Sequence, residues 1–147
     1  MSAEENGSCV FCEIVAGRAP ARVIHEDERS LALLDINPLA EGHCLVVSKR
    51  HEPWWHDLSA AETASLFEVA HIVAGKLMRA FKPDFVCMYA RGRRIPHTHI
   101  FLIPSFKGDP LDRYFNALEG FQEVPPELVR LRQPEEMEST LELLRRS

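Results

Sequence analysis

Apolar residues along this chain follow two periods. From Leu66 through Val69, Ala70, Val73, Leu77 and Phe81 they recur every three or four positions, which predicts one long amphipathic helix. Ser59 before it and Glu62 three residues later form a capping-box pair, and Pro83 closes it. Elsewhere the apolar runs are short. Val23 to Glu26 and Leu31 to Asp35 predict a hairpin, with the polar stretch Asp27 to Ser30 as its turn. His43 to Ser48 reads as a buried central strand. Phe85 to Tyr89 and His97 to Ile103 predict two more strands, separated by the basic turn Ala90 to Arg94. Phe11 to Ala16 predicts a helical turn stopped by Gly17 and Pro20. Polar, irregular chain is expected from Pro104 to Pro126. A helix then follows from about Pro134 to Arg146, acidic at its start and basic at its end, as the helix dipole favours. The expected class is α+β: a central antiparallel β-sheet with one long helix and a C-terminal helix. Residues 1–8 read as a flexible leader, 9–105 as the domain, and 106–147 as a C-terminal extension carrying the last helix.

Charge narrows the choice of ligand. A formal net charge of −5 over 147 residues disfavours general nucleic-acid binding, whose footprint is basic. Yet Lys49, Arg50, Arg91, Arg93 and Arg94 lie close in sequence to histidines. Fixed cations on an acidic chain suit a small anionic ligand such as a phosphate. No apolar stretch is long enough to span a membrane, and the first residues do not read as a signal peptide. A cytoplasmic setting is therefore expected, with Cys9, Cys12, Cys44 and Cys87 as thiols or metal ligands.

The chemistry concentrates in Ile95 to Pro104. Strand alternation would put His97, His99 and Phe101 on one face. An imidazole nitrogen attacks phosphorus when its other nitrogen donates a proton to a fixed acceptor, which sets the tautomer. Alone, a His-x-His pair fits a structural role or a metal site as well as catalysis. Cys9-x-x-Cys12 is half of a zinc site and needs two further ligands. Cys44 and Cys87 are expected in the core. Trp54 and Trp55 read first as packing or dimer-contact residues and second as the lining of a base pocket. Tyr114, Phe115 and Phe121 are candidates to cover the site.

Four separated blocks sharpen this picture. They are Cys9-Val-Phe-Cys-Glu-Ile14, Ala32-Leu-Leu-Asp-Ile-Asn-Pro38, Gly42 to His51, and Pro96-His-x-His-x-x-Leu-Ile-Pro104. In this order and spacing the chain resembles the histidine triad (HIT) superfamily, in particular its bacterial zinc-containing branch, over roughly residues 8 to 105. The resemblance implies a HIT-like fold, a homodimer, and a purine nucleotide cleaved at its α-phosphate through a nucleotidyl-histidine intermediate. His99 falls on the family's nucleophile and His97 on the first histidine of the triad. Asp35 and Ile36 fall on the segment that holds ribose and base, and His43 on an additional histidine beside the triad. It also implies a structural zinc held by Cys9, Cys12, His51 and His97.

Two departures bear on function. The family's third histidine is Phe101 here, and phenylalanine neither donates a hydrogen bond nor shuttles a proton. The family's phosphate-donating turn before the triad is Gly92-Arg93-Arg94, and arginine forks suit phosphate oxygens. The leading expectation is a hydrolase or nucleotidyl transferase acting on a phosphoramidate or dinucleoside polyphosphate. The alternative is a catalytically impaired HIT-fold protein that binds or senses a nucleotide. A third reading, in which both motifs serve only a metal, leaves His99, Asp35 and the arginines without a role.

Overall fold

Cys44–Ser48 is buried at every position, which a strand achieves only when both faces of its sheet are covered. The segment is β3 of a five-stranded sheet with β1 (Val23–Glu26), β2 (Ser30–Leu34), β4 (Phe85–Tyr89) and β5 (His99–Ser105). The order is β1-β2-β3-β5-β4, and every neighbouring pair is antiparallel. The computed structural model describes residues 9–119 and 126–147. The expected leader, residues 1–8, and Phe121 lie outside the described residues.

Alternation sends the two sides of each central strand to different covers. Ala32, Cys44, Val46, Ile100 and Leu102 face α2 (Ala60–Phe81), which buries Leu66, Val69, Ala70, Val73 and Leu77 against them. The helix begins where the sequence predicts. Ser59 accepts the Glu62 amide at 3.1 Å, and the Glu62 carboxylate reaches back to the Ser59 amide. It ends at Lys82, whose left-handed backbone (φ +51°) turns the chain into Pro83. On the opposite face, Leu31, Leu33, Leu45 and Val47 pack with Cys9 and Phe11. Phe11 belongs to α1 (Val10–Val15), the short N-terminal helix. The registers Val47↔His99 and Leu45↔Phe101 set His99 and Phe101 on this second face, away from the long helix.

Gly42 holds the turn that enters β3. Its φ of +88° is one that residues with a Cβ rarely adopt, and an added Cβ would lie 2.5 Å from Phe81 Cε2 and 3.2 Å from Leu77 Cδ2. Gly42→Ala is expected to destabilise the fold by about 2 kcal/mol or more, from backbone strain and overpacking together. The denaturant midpoint measures this. An unchanged midpoint would mean that Phe81 swings aside and the strain is absorbed elsewhere.

Two expectations are corrected. β5 begins at His99, so His97 precedes the strand instead of sitting in it. Its neighbour Thr98 gives both its amide and its hydroxyl to the Glu52 carbonyl, at 2.7 and 2.8 Å, in a loop contact. The stretch after Pro104 is not irregular throughout, because Pro110–Glu119 forms a helix, α3. Asp109 Oδ1 accepts the Asp112 amide at 2.7 Å, and Pro110 suits a first turn. The chain divides into two units, Met1–Asp112 and Arg113–Ser147. The second contains α4 (Pro126–Val129) and α5 (Pro134–Arg146), neither of which has a buried residue. No described helix is long and apolar enough to cross a membrane.

Candidate active site and metal centre

The chain folds so that α1 covers the sheet face bearing His99, and this brings the two cysteines to the histidines. Cys9, Cys12, His51 and His97 converge, with their ligand atoms all within 4.8 Å of one another. Cys9 Sγ lies 3.3 Å from His97 Nδ1, Cys12 Sγ 3.2 Å from His51 Nδ1, and the two Nδ1 atoms 3.2 Å apart. A tetrahedral zinc with ordinary bond lengths places its sulfur and nitrogen donors about 3.3–3.8 Å apart. The donor set therefore suits zinc, with its nearest pairs at or just below that spacing. The His97 Nε2–H donates to the Ser48 carbonyl at 2.6 Å. That bond fixes the tautomer and leaves the Nδ1 lone pair for the cluster, the arrangement that metal-bound histidines use. Burial holds His97 below the ordinary histidine value, with the Ser48 bond opposing and His51 and His99 adding to the shift, so its imidazole is neutral. In the metal-free protein, burial and the hydrogen bond that the Cys12 thiol gives to Cys9 push it up to about 11.

His99 lies one step from this cluster. Its Nδ1 is 2.6 Å from the backbone carbonyl oxygen of His97. A carbonyl can only accept, so Nδ1 carries the proton and Nε2 carries the lone pair. The ring packs against Phe11 and Phe101, at centroid distances of 5.1 and 5.3 Å. His99 is 6% exposed and lines a cleft with Trp54, Trp55, Arg91 and Gly92.

Beyond Phe101 the site continues inward. The His43 ring is 5.2 Å from the Phe101 ring. Its Nδ1 accepts the Leu39 amide at 3.1 Å, so its proton is on Nε2, which faces Asp35 Oδ2 at 3.4 Å without a hydrogen bond. Burial holds His43 below the ordinary histidine value, and Asp35 opposes that shift. Asp35 also accepts the Asn37 amide at 2.7 Å. Ile36 beside it is 82% exposed, an apolar side chain held out to solvent.

The structure thus joins Cys9, Cys12, His51 and His97 into one cluster, and His99, Phe101, His43 and Asp35 into a contiguous row. Arg93 and Arg94 are exposed on their turn, and the part of that turn lining the cleft is Ala90 to Gly92. Trp54 and Trp55 are 42% and 49% exposed and line the cleft beside His99, where packing or a dimer contact was the first expectation. Sequence reasoning missed Phe11, which touches the rings of both His97 and His99. Its place between Cys9 and Cys12 was the available signal, because pinning the cysteines carries it along. Cys44 is buried in the core as expected, and Cys87 is half-buried.

The chain is similar to known proteins over most of its length. The family model described as HIT domain matches residues 16–108. The chain is 32% identical over 108 residues to the adenylylsulfatase HINT3 of Arabidopsis thaliana, covering 70% of this chain and 55% of that relative's length. It is 34% identical over 103 residues to the adenosine 5'-monophosphoramidase hnt1 of Schizosaccharomyces pombe, covering 67% of this chain and 74% of the relative. The crystal structure of a Zn-bound histidine triad family protein from Mycobacterium smegmatis superposes with a TM-score of 0.66 at 33% identity, over 72% of this chain and 81% of that one.

Proposed function

Because this chain belongs to the HIT domain family, we propose that it is a purine-nucleotide hydrolase or nucleotidyl transferase in which His99 attacks the α-phosphate and carries the nucleotidyl group. The observation that carries the reading is the 2.6 Å contact between His99 Nδ1 and the His97 carbonyl. It fixes the proton on Nδ1 and frees Nε2 for in-line attack, and it stabilises the charge the ring acquires once Nε2 bonds phosphorus. Asp35 and Ile36 hold the ribose and base, His43 orients Asp35, and Arg93 and Arg94 gather the phosphate charge from their turn. His97 acts as a positioning residue through its carbonyl. Zinc on Cys9, Cys12, His51 and His97 is structural, since protein fills all four positions. Thiolate ligands suit a reducing, cytoplasmic setting. Assembly as a homodimer follows the family.

The second reading, nucleotide binding or sensing without turnover, is favoured by Phe101, which leaves the third position without a proton. Acid-quench trapping separates the two. Incubated briefly with a diadenosine polyphosphate, whose leaving group departs as a phosphate oxyanion, the protein should gain one adenylyl group on the peptide bearing His99, with AMP released in the supernatant. Saturable nucleotide binding with no adduct and no AMP would put the sensing reading first.

A further inference from the structure

Among the described residues, no side chain lining the cleft beside His99 is placed to give a proton to a leaving group. Among the described residues that line it, the titratable side chains are Arg91 and His99. A guanidinium stays protonated throughout the working pH range, so Arg91 can hold a developing negative charge but cannot release a proton. His99 has committed its only proton to the His97 carbonyl. The hydroxyl of Thr98 donates to the Glu52 carbonyl at 2.8 Å. Phe101 stands against the nucleophile and offers only its ring. Behind Phe101 are Tyr89, stacked at 4.7 Å, and His43. Tyr89 is a phenol, a weak acid at neutral pH. The His43 Nε2 proton is sealed from solvent and faces Asp35.

We infer that the chain acts on nucleotides whose α-phosphate carries a weakly basic oxyanion leaving group, such as a sulfate or a carboxylate in a mixed anhydride, and discriminates against amine leaving groups. This rests on the reading of His99 as nucleophile. The atoms balance without an internal acid. The His99 Nε2 lone pair forms the N–P bond, the P–O bond to the leaving group breaks, and its electron pair departs on an oxyanion that needs no proton. Water then attacks phosphorus, the P–N bond breaks, and the pair returns to Nε2. The proton of water passes to solvent. The sum is nucleotidyl sulfate plus water giving nucleotide, sulfate and a proton. With a phosphoramidate, the departing nitrogen must gain a proton as its bond to phosphorus breaks, and the cleft supplies none.

A positioned general acid is worth about 10²–10⁴-fold. The test compares kcat/KM for adenylyl sulfate and adenosine phosphoramidate in the zinc-loaded wild type and in Phe101→His, with the adduct on His99 followed in parallel. Wild type should prefer the sulfate by about 100-fold or more. Phe101→His should narrow that preference at least about tenfold by raising amidate turnover. A series of aryl esters of AMP with phenols of graded acidity tests the same point without a variant. Its rate should fall steeply as the phenol becomes more basic. Amidate cleavage by the wild type at or above the sulfate rate, or a flat aryl series, would overturn the inference and leave His99 as nucleophile. No adduct and no turnover on any substrate would overturn both.

Discussion

His99→Ala should yield a folded, zinc-loaded protein that binds nucleotide and has lost turnover by on the order of 10⁴-fold or more. The size of the loss follows from the cleft. Among the described residues, no other side chain lining the cleft has an imidazole, an amine, a thiol or a carboxylate that could replace Nε2. On the proposed reading other residues make the ground-state contacts to the nucleotide, so kcat should collapse while affinity changes by less than about tenfold. Truncation also removes the ring packed against Phe11 and Phe101, at a stability cost of about 1–3 kcal/mol. Metal analysis provides the internal control. The four converging donors do not include His99, so the variant should retain its zinc. Loss of zinc would favour the metal-only reading of the two motifs. Full turnover would show that the nucleophile is elsewhere.

The parts of the fold that periodicity governs were legible in the sequence, and the parts that contacts govern were not. The capping box at Ser59, the helix through Leu66 and Leu77, and the strand through Val46 each follow from local pattern, and the structure contains all three. Helix α3 was masked because its apolar positions, Leu111, Phe115 and Leu118, are sparse within a polar stretch. His97 illustrates a different limit. Alternation placed it on a strand beside His99, but the Glu52 carbonyl captures Thr98 and the strand starts two residues later. His97 and His99 are still joined, through a backbone carbonyl instead of a shared face. At the site, residue types pointed to the Cys₂His₂ cluster only with the help of the family resemblance, because His51 and His97 lie 46 positions apart. The role of Trp54 and Trp55 in lining the cleft depends on where the Ala90–Gly92 turn comes to rest, which no local pattern records.

Zinc removal is the other large effect. Cys12→Ser, or chelation of the wild type, is expected to reduce the metal from one ion per chain to near zero and lower the melting midpoint by about 10 °C or more. The metal would join the short N-terminal helix to the loops bearing His51 and His97, which lie far away in sequence. Without it, α1 is held to the sheet chiefly by the apolar patch around Phe11. The His51 and His97 Nδ1 atoms, 3.2 Å apart, are then joined only by a hydrogen bond between the two rings. Activity should fall with stability, since the His97 carbonyl orients His99. The fall should appear mainly in kcat, because Asp35 and His43, the residues proposed to hold the nucleotide, lie outside the cluster. The pH dependence has a definite sign. With the metal-free Cys12 thiol pushed up to about 11, zinc must displace protons to bind, so its affinity weakens as pH falls. The wild-type midpoint should therefore drop on acidification more steeply than that of Cys12→Ser, which has no metal to lose. A metal-free wild type with an unchanged midpoint and undiminished turnover would reduce the four converging side chains to ordinary thiols and imidazoles. The orientation of His99 would then depend on Ser48 and the backbone alone.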